Sequence, residues 1–150
     1  MTNTPIPDDV QELVDNHSPK IKAIVGELHN YLSGLGCLSY IKTIYIGYEI
    51  GGVMVAALYP YHKHVDLALA IPEDTIDPIL VDASHLTWRS LPLLATVRTG
   101  REVAKAKRYA KLATEQVRSG MHTVNRDNDF FIRTKKERKS KRNALRRIDS

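Results

Sequence analysis

The chain has 150 residues, enough for one domain with a real core, and 43% hydrophobic with 26% charged residues sets it apart from disordered and fibrous proteins. Its net charge of +5 is unevenly spread: residues 121–150 hold ten Lys/Arg against four acids, a net +6, and residues 1–120 hold twelve against thirteen, a net −1. A single cysteine, Cys37, excludes an intramolecular disulfide framework and a thiolate metal cluster built by one chain.

The chain opens Met-Thr-Asn-Thr-Pro without a basic region followed by an apolar core, so no secretory leader is expected. No stretch approaches the roughly 18 consecutive apolar residues of a membrane span. A cytoplasmic protein that does not enter the membrane is the expectation. Val10, Leu13 and Val14 form a short apolar stripe. Ser18-Pro19 then starts a helix, since Ser suits the cap and Pro the first helical position. Ile21, Ile24, Val25, Leu28, Leu32 and Leu35 continue it with amphipathic spacing, and Gly34 and Gly36 end it. Cys37 follows in the apolar setting Leu-Gly-Cys-Leu, which predicts a buried, inert thiol.

Strands come next. Over Thr43–Ile50 the even positions Ile44, Ile46, Tyr48 and Ile50 alternate with Thr43, Tyr45, Gly47 and Glu49, the period of a half-buried strand. Gly51-Gly52 is a hairpin turn, and Val53–Tyr59 is apolar on both faces, as a central strand should be. Pro60 to Lys63 makes the next turn. In His64–Ile71, Val65, Leu67, Leu69 and Ile71 alternate with His64, Asp66, Ala68 and Ala70. Residues 72–91 read as a structured crossing loop and Leu93–Arg98 as a fourth strand. A helix from about Arg101 to Ser119 has Val103, Ala106, Tyr109, Ala110, Ala113 and Val117 on one face, and Gly120 closes it. The fold class expected is α+β: an antiparallel four- to five-stranded sheet with N- and C-terminal helices on one face, spanning 1–120, plus a basic tail over 121–150.

This order resembles domain-of-unknown-function family 5655, an α+β domain of the frataxin-like or YdhG-like type. The resemblance covers roughly residues 41–117. It rests on Tyr45-Ile46-Gly47-Tyr48, the hairpin into Ala57-Leu58-Tyr59-Pro60, and the His64-Val65-Asp66-Leu67 strand. The Asp82…Trp88 segment, Ala95-Thr96-Val97 and the alanine-containing closing helix also fit. These are core and turn positions, so the resemblance implies a fold and little chemistry. Domains of this type can be fused to defence-associated modules, which implies a nucleic-acid setting by association.

His62-Lys63-His64-Val65-Asp66 spells H-x-H-x-D, a string that gathers a divalent cation in some hydrolases, with Asp82 and His85 as its only tempting partners. A turn histidine followed by two residues on a wet sheet face accounts for the same string, and no metal or cofactor is expected. There is no phosphate-cradling glycine loop, no Gly-x-Ser-x-Gly elbow and no Cys-His arrangement near Cys37. If Ile44, Ile46, Tyr48, Val65, Leu67 and Leu69 point inward, then Tyr45, Glu49, His64 and Asp66 point outward, with Trp88 and Arg89 at the edge. That face would suit a small ligand, a metal-dependent enzyme or a partner protein. An exposed sheet face with cross-strand pairs is the plainer account.

The tail is the stronger signal. Arg133, Lys135, Lys136, Arg138, Lys139, Lys141, Arg142, Arg146 and Arg147 are dense enough to attract phosphates through counterion release. Phe130, Phe131 and Ile132 just upstream can dock on the domain or stack on bases. A solvated terminus and a nuclear-import signal have the same composition. The expectation is a non-enzymatic accessory or binding module whose tail contacts DNA, RNA or another polyanion. An enzyme or small-ligand binder using the Tyr45/Glu49/His64/Asp66 face, and a protein–protein adaptor, are the alternatives.

Overall fold

The structure, a computed structural model, describes Val10, residues 13–86, Trp88 and residues 90–120. Helix α1 (Pro19–Gly34) begins where Ser18 caps it: the Ser18 hydroxyl oxygen accepts from the Ile21 N–H at 3.3 Å, and Pro19 fills the position where an N–H would be wasted. Its apolar stripe, Ile21, Ile24, Val25, Leu28 and Leu32, is buried as the spacing predicts, and so are Val10 and Val14 ahead of it. Strands follow in the order β1 (Leu38–Ile41), β2 (Ile46–Ile50), β3 (Val53–Pro60), β4 (Val65–Leu69), β5 (Leu80–Asp82) and β6 (Leu93–Val97), and then helix α2 (Gly100–Arg118).

The described residues thus form an α+β arrangement with one antiparallel sheet of six strands, ordered β1-β2-β3-β4-β6-β5. Four to five strands are expected from the sequence; β1 and β5 are the additions. Both are short edge strands, too brief to display a period. The strand expected over Thr43–Ile50 is also corrected. Residues 42–45 turn the chain from β1 into β2, with the Lys42 N–H donating to the Tyr45 carbonyl at 2.9 Å. Ile44 therefore lies in a turn, 58% exposed, and not in the core. The Gly51-Gly52 turn is as expected: φ is +58° and +80°, the pair of left-handed residues that a tight hairpin with the right twist requires.

Residues directly opposite in the ladders share a sheet face. Tyr48 touches α1, so its partner Ala56 faces the helices. The pairs Ile46 with Leu58, Leu58 with Leu67, and Leu67 with Ala95 extend this face across the sheet. Both helices contact β3 and β4 and each other, which places them together on that side. Ala106, Ala110 and Ala113 are fully buried, and their small side chains let α2 lie close to the strands. A bulge sharpens the bend of β3: Tyr48 opposes Ala56 but Glu49 opposes Met54, leaving Val55 as the extra residue. Met54 consequently falls on the face away from the helices.

The two helices run in the same direction. Midway along them Lys107 Nζ meets Glu27 Oε1 at 2.8 Å, and at their C-terminal ends the Arg118 guanidinium donates to the Leu35 carbonyl. Their N-termini therefore share one end of the molecule. At the other end Cys37 is buried; burial pushes its thiol up, while a hydrogen bond with Thr114 and the nearby Arg118 charge pull it down. Among the described residues no helix is long and apolar enough to cross a membrane.

Candidate functional site

The face away from the helices holds most of the sequence-nominated ligand residues, but packed against one another. Tyr45 is 8% exposed and stacks on Tyr59, with ring centroids 5.2 Å apart. Tyr40 meets Tyr45 edge-on at 6.1 Å and donates its hydroxyl to Met54 Sδ at 3.2 Å. Glu49 is half-buried beside this group, and Trp88 is buried. Gly47 lies directly beneath the Tyr40 ring, and a Cβ there would collide with it. The row Tyr40, Gly47, Ala57, Ala68, Leu94, Val81 crosses the sheet with small residues at its centre. Arg89 lies outside the described residues.

Asp66 sits in the next row, between Tyr59 and Thr96. It is 7% exposed, accepts from the Thr96 hydroxyl at 3.0 Å, and has His64 Nε2 3.4 Å from its Oδ1. Tyr61 stacks on His64 at 4.8 Å between centroids; partial burial raises its phenol, and the Asp66 carboxylate adds to that rise. In this row Asp66 is satisfied by its neighbours, His64 and Thr96 are half-buried, and Tyr61 is exposed.

The H-x-H-x-D string splits at the turn. The Tyr61 N–H donates to the His64 carbonyl at 2.8 Å, closing the β3–β4 hairpin with His62 and Lys63 at its tip. His64 and Asp66 stay together on the sheet face; His62 goes elsewhere. Among the described residues no group of three or more His, Cys, Asp or Glu is placed to hold a metal ion.

His62 instead lines an open cleft of about 420 Å³ at the end of the molecule where both helices begin. Ser18, Lys20 and Ile21 come from the start of α1, His62 and Lys63 from the hairpin tip, and Arg98 from the chain just past β6. Three of the six are permanent cations and none is acidic. Among the described residues Lys20, Lys63 and Arg98 form no ion pair, in contrast to Lys105 on Asp77 and Lys107 on Glu27. Glu102, four residues after Arg98, is engaged in capping α2: its Oε1 accepts from the Arg98 and Thr99 N–H groups at 2.8 and 3.1 Å. Sequence reading misses this cleft. Its residues come from three segments about 40 residues apart, each contributing one cation on an ordinary turn or helix start, and no spacing connects them.

The tail cations Arg133, Lys135, Lys136, Arg138, Lys139, Lys141, Arg142, Arg146 and Arg147 lie outside the described residues, as do Phe130, Phe131 and Ile132. No family model, curated protein or solved structure matches the chain, so the resemblance given above rests on its own residues.

Proposed function

We propose that the chain is a non-enzymatic binding module, expected in the cytoplasm, whose basic tail contacts nucleic acid or another polyanion. The observation that carries this reading is the segregation of charge: net +6 over residues 121–150 against −1 over residues 1–120. A polyanion gathers such a segment by releasing condensed counterions, which needs charge density and no fixed geometry. Phe130 and Phe131 add rings on which exposed bases can stack. Packing of Tyr45, Tyr59 and Asp66 also favours a binding role over catalysis at that face, because a reacting group needs room beside it. The test is a filter-binding titration of a single-stranded oligonucleotide at two salt concentrations, comparing the full chain with one lacking residues 133–150. Removal of the tail is expected to remove most of the salt-sensitive binding and leave the domain's circular dichroism unchanged; equal binding by the two chains sinks the reading.

A protein partner is the second reading. It is favoured by β1, a four-residue edge strand whose Leu38 is 69% exposed, with Ile44 of the following turn also exposed. An extended peptide can add to such an edge.

A further inference from the structure

The body's near-neutral composition conceals a local excess of positive charge. We propose that the cleft lined by Lys20, Lys63 and Arg98 binds a phosphoryl group, either free phosphate or the terminal phosphate of a nucleic-acid strand. This contact is separate from the tail. The three cations converge from the start of α1, the β3–β4 hairpin tip and the end of β6. With no carboxylate in the lining and no ion pair to any of them among the described residues, their charges are left for a ligand to neutralise. The Arg98 guanidinium offers a planar fork that matches two phosphate oxygens, and the two ammonium groups act as point charges beside it. Ser18 Oγ accepts from Ile21 and still has its own hydrogen to donate.

Size and lining narrow the ligand. At about 420 Å³ the cleft falls within the range of small-molecule sites, roughly 300–1,000 Å³, and exceeds what one phosphate fills. The exposed His62 ring supplies surface for whatever bears the phosphate. The first turn of α1 contains no acidic residue, so its N-terminal dipole adds to a field the cations already set, whereas Glu102 closes the start of α2. The cleft lies at the end of α2 opposite Gly120, the last described residue: α2 has 19 residues, about 28 Å of helix at about 1.5 Å per residue. The proposal rests on Lys20, Lys63 and Arg98 and on no residue of the tail.

The experiment is a site-resolved nuclear magnetic resonance titration of the full chain with inorganic phosphate, and with one short single-stranded oligonucleotide carrying either a 5′-phosphate or a 5′-hydroxyl. Saturable shifts are expected at the amides of Lys20 and Lys63 and at the Arg98 side-chain N–H. They should persist when residues 133–150 are removed. In the variant Lys20→Gln, Lys63→Gln, Arg98→Gln the response should weaken about tenfold or more, with resonances of the sheet unchanged because all three side chains are exposed. Saturation by inorganic phosphate assigns the cleft to a free anion. A preference for the 5′-phosphorylated strand that the variant loses assigns it to a strand end. Wild type and variant responding alike to all three probes overturns the proposal.

Discussion

Among the described residues Asp66 is the one buried carboxylate, and replacing it separates a structural role from a ligand-binding one. In Asp66→Ala the Thr96 hydroxyl loses an acceptor at 3.0 Å, and a hydrogen bond to a charged group contributes about 1.5–3 kcal/mol. The His64 contact at 3.4 Å adds little: the His64 side chain is 27% exposed, and pairs at the surface contribute about 0–1 kcal/mol. Relief from burying a carboxylate offsets part of the loss. The net expectation is destabilisation by about 2 kcal/mol, or roughly 8 °C in Tm for a domain of this size. Asp66→Asn retains shape and an acceptor for Thr96, and should cost about 0.5–1 kcal/mol. Thermal melts and urea titrations of the three proteins measure both differences. An Asp66→Ala protein as stable as wild type, or more stable, would refute the structural account. It would instead mark Asp66 as a group kept for a ligand at the expense of stability.

Two further predictions concern the supports of this fold. Gly47→Ala places a methyl group against the Tyr40 ring and forces it off Met54 and Tyr45, so overpacking should cost about 1–3 kcal/mol in a urea titration. Combining it with Tyr40→Ala should cost less than the two single changes added together, and strict additivity would show that the ring is not what the methyl meets. Asp77 ties the loop before β5 to α2. The Ile79 N–H, then the Tyr109 hydroxyl, then Lys105 hold its carboxyl below the usual aspartate range. A lowered folded-state pKa means stabilisation that is complete above the unfolded-state value, about 3.9, and lost as pH falls through the folded one. Asp77→Asn should therefore lower Tm at pH 7 and match wild type near pH 2; an equal deficit at both pH values would remove the ionic explanation.

The sequence displays the long, periodic elements and hides the short ones. Both helices, the all-apolar β3, and β4 and β6 are legible because their side chains repeat with the geometry of a buried face. β1 is only Leu-Ser-Tyr-Ile, mostly at the surface, and β5 is three residues held by pairing to β6; neither has enough positions to show a period. Ile44 fits the alternation of β2 by position alone, and turn geometry overrides it. By sequence the sheet face is expected to be wet, because its residues are polar or aromatic. Yet Tyr59, across the ladder from Asp66, closes over the same layer as Tyr45, and Asp66 itself accepts from Thr96 on the next strand. The cleft was illegible for a different reason: convergence of three distant cations is a property of topology, and in composition the acids of residues 1–120 cancel them.

The slope of log affinity against log salt for a single-stranded oligonucleotide tests the central claim most directly. At about −0.7 per phosphate contact, nine tail cations engaging phosphates contribute a slope of about −6, and a variant with those nine replaced by Gln should retain only about −0.7 from the single phosphate held in the cleft. A full-chain slope that does not change when the tail is neutralised would contradict the account.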